Sequence, residues 1–179
     1  MAYTTIDKPS DYFDTLLYTG DNSNRTFSGL DFQPDLAWIK ARNNTTWHLL
    51  YDAVRTAGTG KELHSNSTQA EGASNSSLYG YLSAFTSDGF STVNGSSSSD
   101  ALNETNRTYA AWNWKAGGGA GSSNQDGSIN TTSTSVNQTA GFSISTWTGT
   151  GSNATVGHGL GAVPKVIITK ARSDAYDWY

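Results

Sequence analysis

An internal repeat constrains this sequence more than any other feature. Residues 13–42 align with residues 142–172 when His158 is treated as an insertion, and twelve of the thirty aligned pairs are then identical. In both copies a proline, Pro34 or Pro164, is followed six residues later by Lys-Ala-Arg. Runs of Ser, Thr and Gly do not account for that spacing, so we expect two related structural units.

Short runs of aromatic and β-branched residues predict a chain built from strands. The runs are bounded by Gly, Asn, Asp, Ser or Pro, which is typical of strands between turns. Only residues 68–85 have room for a helix, and their Gly and Ser content favours a loop with a short helical turn. We therefore predict an all-β fold, either a sandwich or a barrel. The predicted strands are 13–20, 35–41, 47–52, 108–115, 142–148 and 165–171.

The repeat also predicts how the chain is organised. We expect residues 1–10 to form an N-terminal arm and residues 11–115 to form a first, complete unit. Residues 116–140 are rich in Gly, Ser and Thr and are predicted to be a linker. Residues 141–179 contain only the first strands of a second unit, too few to bury a sheet face alone. Either the natural polypeptide is longer, or this fragment pairs with the first unit or with another subunit.

Composition excludes several classes of protein. Gly, Ser, Thr and Asn make up 80 of the 179 residues, whereas charged residues are only 15% and the net charge is −4. This acidic balance argues against nucleic-acid binding, and no apolar run is long enough to span a membrane. The absence of Cys excludes disulfides and thiol catalysis. The first nine residues lack the basic and apolar regions of a signal peptide, so we expect none.

Residue types that carry catalysis are sparse. The three His residues lie in different segments, and the sequence contains no Ser-His-Asp set or His-Glu-x-x-His pattern. We interpret His48 as a packed strand residue and His158 as part of a tight Gly-rich turn. The fifteen acidic residues make no evident acid–base pair. We therefore predict that the protein is not an enzyme and uses no cofactor or metal ion.

The aromatic residues fall into two groups. In residues 109–115 the two-residue period places Trp112 and Trp114 on one face of a strand and Asn113 on the other. We expect most of the Trp residues within strands to lie in the core, namely Trp38, Trp112, Trp114 and Trp147. Four aromatic residues beside polar loops are candidates for stacking on sugar rings or for contacts between subunits, and these are Trp47, Tyr79, Tyr81 and Trp178.

Asn-x-Ser/Thr sequons are unusually frequent, since eleven of the fourteen Asn residues stand in one. One interpretation is an extracellular protein coated with N-linked glycans. The other is that turns and edge strands select Asn and Thr together. The sequon residues are Asn24, Asn43, Asn44, Asn66, Asn75, Asn94, Asn103, Asn106, Asn130, Asn137 and Asn153.

Several stretches resemble a group of virion-associated proteins of tailed bacteriophages. The resemblance rests on AYTTIDKPSDYFDTLLYTG, GLDFQPDLAWIKAR, TYAAWNWKAGGG and AGFSISTWTGTGSNATVGHGLGAVPKVIITKAR. In that group the module is repeated and is similar to a concanavalin-like jelly-roll sandwich. The resemblance therefore implies an antiparallel β-sandwich with the start of a second, similar module. It also implies a surface-exposed role in the virion and no known reaction.

These observations lead to one principal hypothesis and two alternatives. We expect a non-enzymatic structural protein of the phage, such as a tail fibre, appendage or surface decoration, located at the virion surface outside the cell. It assembles as a homo-oligomer, for example a trimer, contacts other virion proteins and binds host surface glycans, without nucleic acid or membrane insertion. The first alternative is a heavily N-glycosylated extracellular filament or sheath protein. The second is a polysaccharide-cleaving enzyme, which requires two carboxylates roughly 5–10 Å apart in a groove.

Overall fold

A computed structural model describes residues 6–99 and 101–179 of the chain, so residues 1–5 of the predicted N-terminal arm lie outside the described part. No helix in that part is long and apolar enough to cross a membrane. In chain order the elements are a 3₁₀ turn Pro9–Asp11, β1 (Phe13–Thr19), β2 (Arg25–Phe27), β3 (Leu36–Ala41), β4 (Leu49–Asp52), β5 (Leu63–His64), α1 (Ser76–Tyr79), β6 (Tyr81–Thr86), β7 (Gly89–Val93), β8 (Thr108–Trp114), β9 (Ser133–Asn137) and β10 (Phe142–Thr146).

Two antiparallel sheets face each other and enclose the core. One has the strand order β1-β8-β3-β4-β5 and the other the order β2-β7-β6. Phe27, Leu82 and Phe90 of the smaller sheet belong to the same buried cluster as inward-facing residues of the larger sheet. The predicted all-β sandwich is therefore confirmed. The larger sheet contributes to this cluster Ala37, Ile39, Ala41, Leu49, Tyr51, Tyr109 and Ala111.

Most of the predicted elements are present. Strands β1, β3, β4, β8 and β10 fall within the predicted runs, and α1 is the predicted short helical turn. Asn75 caps α1, because its side-chain oxygen accepts a hydrogen bond from the backbone N–H of Leu78 at 3.2 Å. The prediction of a strand over residues 165–171 is wrong, because among the described residues this segment forms only a single bridge, between Lys170 and Trp178. A run of strand-forming residues forms a ladder only where a neighbouring strand lies alongside.

The prediction that the strand tryptophans lie in the core is also wrong. In β8 the fully buried face carries Tyr109, Ala111 and Asn113, and Trp112 and Trp114 are half-buried on the opposite face. Trp38 of β3 is half-buried beside Trp112, with ring centroids 6.0 Å apart, and Trp147 is exposed. The inward face of the larger sheet therefore combines alanines with Ile39, Leu49, Tyr51 and Tyr109. The tryptophans of this sheet form an outer layer.

The segment predicted to be a linker is tied to the first unit by hydrogen bonds. The buried carboxylate of Asp35 accepts hydrogen bonds from the backbone N–H groups of Ala116 at 2.7 Å, Gly118 at 2.9 Å and Gly119 at 2.6 Å. Later in the segment, β9 pairs with β10 in an antiparallel hairpin. Backbone N–H groups of the Gly-rich run thus bind the carboxylate of Asp35.

The end of the chain packs against the first unit. Phe142 of β10 stacks on Trp114 with ring centroids 6.2 Å apart. The Arg172 side chain donates a hydrogen bond to the Glu71 carboxylate at 2.5 Å, and Glu71 also pairs with the buried Arg55. The indole N–H of Trp178 donates a hydrogen bond to the backbone carbonyl of His64. The second repeat therefore contacts the first unit in this structure.

Candidate binding groove

An open groove of about 630 Å³ lies at one end of β3 and β4. Its size falls in the range of small-molecule sites, which are usually lined by aromatic residues with a few placed polar groups. The described residues that line it are Lys40, Asn44, Thr45, Thr46, Trp47, His48, Asn66, Tyr79, Ser99 and Ala101.

The indole ring of Trp47 is the aromatic platform of the groove. Trp47 is 37% exposed, and its ring stacks on the imidazole of His64 with centroids 4.8 Å apart and planes 21° from parallel. Tyr79 meets the same indole edge-on, at 6.2 Å and 86°. Aromatic rings favour such stacked and edge-to-face arrangements. Contacts on two sides therefore fix the orientation of an indole that still reaches solvent.

His64 supports this platform from a fully buried position. Its Nδ1 is 2.9 Å from the side-chain oxygen of Gln69, and its Nε2 is 2.9 Å from the hydroxyl of Ser74. Burial lowers the pKa of His64, although its hydrogen bond to the side-chain oxygen of Gln69 and the negative charge of Glu62 act in the opposite direction. A neutral imidazole held by both nitrogens is a rigid surface for the indole to stack on.

Polar groups line the rest of the groove. The hydroxyl oxygen of Thr46 is buried and has no hydrogen-bond partner among the described residues. The Asn66 side-chain oxygen accepts from the backbone N–H of His48 at 2.9 Å. The ammonium of Lys40 donates to the carbonyl of Asn44 at 2.9 Å and to that of Ala41. Burial, and then the charge of Lys40, lower the pKa of His48.

The four predicted sugar-stacking residues have different positions. Trp47 and Tyr79 line the groove together. Trp178 lies behind the platform, where its indole N–H donates to the carbonyls of His64 at 2.8 Å and Ser67 at 3.1 Å. Tyr81 is half-buried in β6 against the core cluster and does not line the groove. Two of the four therefore line the groove, and Trp178 holds the segment that contains His64.

Sequence reasoning missed His64 and Thr46 as parts of the site. Strand pairing brings Leu49 of β4 opposite His64 of β5, which places the imidazole beside Trp47. Seventeen residues separate His64 from Trp47, and no local motif indicates that the two rings stack. The unpartnered Thr46 hydroxyl is likewise invisible in a Thr-rich sequence.

The other two histidines lie in different parts of the structure. His48 lines the groove beside Lys40, and the Nδ1 of His158 accepts a hydrogen bond from the backbone of Leu160 at 3.1 Å. Within residues 6–99 and 101–179, no group of three or more His, Asp or Glu side chains is placed to hold a metal ion. Among these residues no Asp or Glu lines the groove.

The sequon asparagines occupy several environments. Asn103 is 1% exposed, and its amide donates to the Asp21 carboxylate at 2.8 Å and to the Ser23 carbonyl at 2.7 Å. This buried amide is closed to modification in the folded protein. Asn44, Asn94 and Asn137 are half-buried. The exposed sequon residues are Asn24, Asn43, Asn66, Asn75, Asn106, Asn130 and Asn153.

The protein is therefore an antiparallel β-sandwich with an open groove at one end, and Trp47 and Tyr79 line that groove. Residues 8–179 match the domain of unknown function DUF7483, and the chain belongs to this family. A search of the curated proteins and a search of the solved structures each found no match.

Proposed function

We propose that the Trp47 groove binds a glycan and that the protein acts as a binding module without catalysis. The observation that carries this proposal is the exposed indole of Trp47, immobilised by the buried His64 and by Tyr79. An ordered aromatic face can stack on the C–H face of a sugar ring without losing further side-chain freedom on binding.

The polar lining supports a ligand rich in hydroxyl groups. Amide and hydroxyl side chains of Asn44, Thr45, Asn66 and Ser99 line the groove together with the Trp47 platform. Such groups donate and accept at once, as sugar hydroxyls do. Burial and the charge of Lys40 lower the pKa of His48, so among the described lining residues the positive charge at neutral pH comes from Lys40.

The described lining residues are mainly amides, hydroxyls, aromatic rings and basic groups, which suit the binding of a glycan. Most glycoside hydrolases place two carboxylates on either side of the scissile bond. The proposal therefore predicts that a bound glycan is recovered intact after prolonged incubation with the protein.

The setting that we propose is the surface of a virion, with the protein as a homo-oligomeric structural component that contacts other virion proteins. This part of the proposal rests on the sequence resemblance described above. Several copies of one weak groove would bind a glycan-covered surface with high avidity. The alternative, an N-glycosylated extracellular filament, draws on the seven exposed sequon residues. An intact mass near 19.0 kDa favours the unmodified protein, whereas added hexose mass favours the alternative.

Glycan-array screening followed by calorimetric titration tests the binding function. We expect the wild-type protein to bind at least one glycan and Trp47→Ala to weaken that binding about tenfold or more, the equivalent of about 1.4 kcal/mol. Trp147→Ala is the matched control, because Trp147 is similarly exposed, at 41%, but does not line the groove.

Two results would overturn this function. One is the absence of glycan binding by the wild-type protein, and the other is equal binding by Trp47→Ala and wild type. Thermal unfolding of each variant shows whether a loss of binding reflects the groove or the fold. Release of free sugar from a bound glycan would overturn only the proposal that the protein acts without catalysis.

A further inference from the structure

Lys40 supplies a positive charge to the Trp47 groove. Its ammonium group donates hydrogen bonds to the backbone carbonyls of Asn44, at 2.9 Å, and Ala41. An ammonium group has three N–H donors, so these two bonds leave it one further donor. Burial and the charge of Lys40 lower the pKa of His48, which therefore adds little positive charge at neutral pH.

No carboxylate in the described part of the chain neutralises this charge. None of the ion pairs among the described residues includes Lys40, and no Asp or Glu of that part lines the groove. The chain as a whole is acidic, with 15 acidic against 11 basic residues and a net charge of −4. The described lining of the groove therefore carries the opposite sign of charge to the protein as a whole.

The second repeat contains the same lysine turn with acidic residues beside it. Lys170 aligns with Lys40 and donates to the carbonyls of Ala171 at 2.7 Å and Asp174 at 3.2 Å. Burial lowers the pKa of Lys170, and the negative charges of Asp174 and Asp177 act in the opposite direction. The charge of this lysine is therefore partly balanced by its own turn.

The groove has uncharged residues at both of these acidic positions. The offset of 130 residues that aligns the two lysines also aligns Asp174 with Asn44 and Asp177 with Trp47. An amide and an aromatic ring thus replace the two carboxylates of the second repeat. The turn forms around its lysine in both copies, so a neighbouring carboxylate is not required for its geometry. The unbalanced lysine charge belongs to the copy that carries the groove.

We infer that the Trp47 groove binds an acidic glycan, with a negatively charged group of the sugar placed against the ammonium of Lys40. This inference rests on the proposed glycan-binding function and specifies the class of glycan. A carboxylate and a sulfate both fit, because either accepts a charge-assisted hydrogen bond from an ammonium group. The Trp47 ring stacks on the sugar, and the amides of Asn44 and Asn66 line the same groove for its hydroxyl groups.

A glycan array composed of matched pairs tests the class of glycan. Each pair contains an acidic glycan and a counterpart that lacks only the acidic group. Tetragalacturonic acid with its carboxyl-reduced form tests a carboxylate, and 6-sulfated N-acetyllactosamine with N-acetyllactosamine tests a sulfate. We expect the acidic member of at least one pair to bind the full chain about tenfold or more tighter than its neutral counterpart, the equivalent of about 1.4 kcal/mol.

Lys40→Met tests the residue that we assign to the acidic group. Methionine keeps an unbranched side chain and removes the charge, so the acidic glycan should bind this variant no more tightly than its neutral counterpart. The neutral glycan should bind Lys40→Met and wild type alike. Lys40→Arg keeps the charge and should keep the preference, which separates loss of charge from a disturbed turn. Lys165→Met is the matched control, because Lys165 is exposed and does not line the groove.

One further acidic residue requires its own variant. Asp100 lies in the sequence between the groove residues Ser99 and Ala101, but outside the described residues. Asp100→Asn should keep the preference for the acidic glycan that wild type shows. A preference that appears only in Asp100→Asn would overturn the inference, because Asp100 would then be the counter-ion of Lys40.

Two other results would overturn the inference and leave the proposed function in place. One is equal binding of the acidic and neutral members of every pair by wild type, and the other is an unchanged acidic preference in Lys40→Met. Glycans still bind in both cases, so only the class of glycan is wrong. If no glycan of either kind binds wild type, the proposed function fails and the inference fails with it.

Discussion

The carboxylate of Asp35 fastens the Gly-rich segment to the sandwich, and removing it should cost measurable stability. Asp35 is fully buried immediately before β3 and accepts hydrogen bonds from the N–H groups of Ala116, Gly118 and Gly119. Its own backbone is held independently, by hydrogen bonds with Trp114 and Ala53. The Asp35→Ala substitution therefore removes the acceptor and leaves the backbone path of the chain in place.

The expected loss follows from the environments of the three donors. Ala116 is 2% exposed, so its orphaned N–H cannot be hydrated and costs about 1–3 kcal/mol. Gly118 and Gly119 are more exposed, and water replaces the carboxylate at a net loss of about 0.5 kcal/mol each. Asp35→Ala should thus lower the free energy of unfolding by about 2–4 kcal/mol. Asp35→Asn keeps one acceptor oxygen and should lose about 1–2 kcal/mol.

Urea unfolding at pH 7, followed by tryptophan fluorescence, measures these losses. Asp31→Ala is the control, because Asp31 is an exposed aspartate four residues earlier whose ion pair with Lys8 contributes little. A loss below 0.5 kcal/mol in Asp35→Ala, or a loss equal to that of Asp31→Ala, would refute the reasoning. It would mean that backbone hydrogen bonds alone position the Gly-rich segment.

Two further predictions concern the groove and the Gly-rich segment. Burial lowers the pKa of His64 in the folded protein, so the unfolded chain binds more protons and stability should fall as the pH drops below 6.5. His64→Gln should flatten this dependence in urea unfolding at pH 7 and pH 5, and an unchanged slope would contradict the assignment. Gly121 and Gly118 have φ angles of 75° and 83°, but only at Gly121 would a β-carbon collide with the Thr134 carbonyl. Gly121→Ala should therefore lower the melting temperature clearly more than Gly118→Ala, and equal losses would exclude the collision as the cause.

The alternation of β8 shows what a local pattern can and cannot fix. A period of two correctly separates Trp112 and Trp114 from Asn113. It does not say which face meets the second sheet. In the structure the inward face of β8 carries Tyr109, Ala111 and Asn113, whereas the two indoles lie half-buried on the outer face. Alternation alone does not make that choice.

Only part of the groove can be predicted from the sequence, because some of its residues have a local signature and others do not. Trp47 and Tyr79 were candidates because each flanks a polar loop, which is a local property of the sequence. The partners that make the site, His64 and Thr46, depend on the pairing of β4 with β5 and on burial after folding. A stacked pair separated by seventeen residues depends on tertiary register, and a single sequence does not reveal that register.

Residues 166–168 show how two segments with the same local preference reach different states. The aligned segment in β3 is flanked by β4 and β8, and its residues Ala37 and Ile39 are almost completely buried. Val166, Ile167 and Ile168 are, if anything, better strand formers, yet they remain exposed. Strand propensity is a property of the segment, whereas strand pairing is a property of two segments. The hairpin turn at Lys170 is held by local hydrogen bonds and by hydrogen bonds from Arg172 and Trp178 to the first unit. Propensity alone therefore does not place residues 166–168 in a ladder within the described part of the chain.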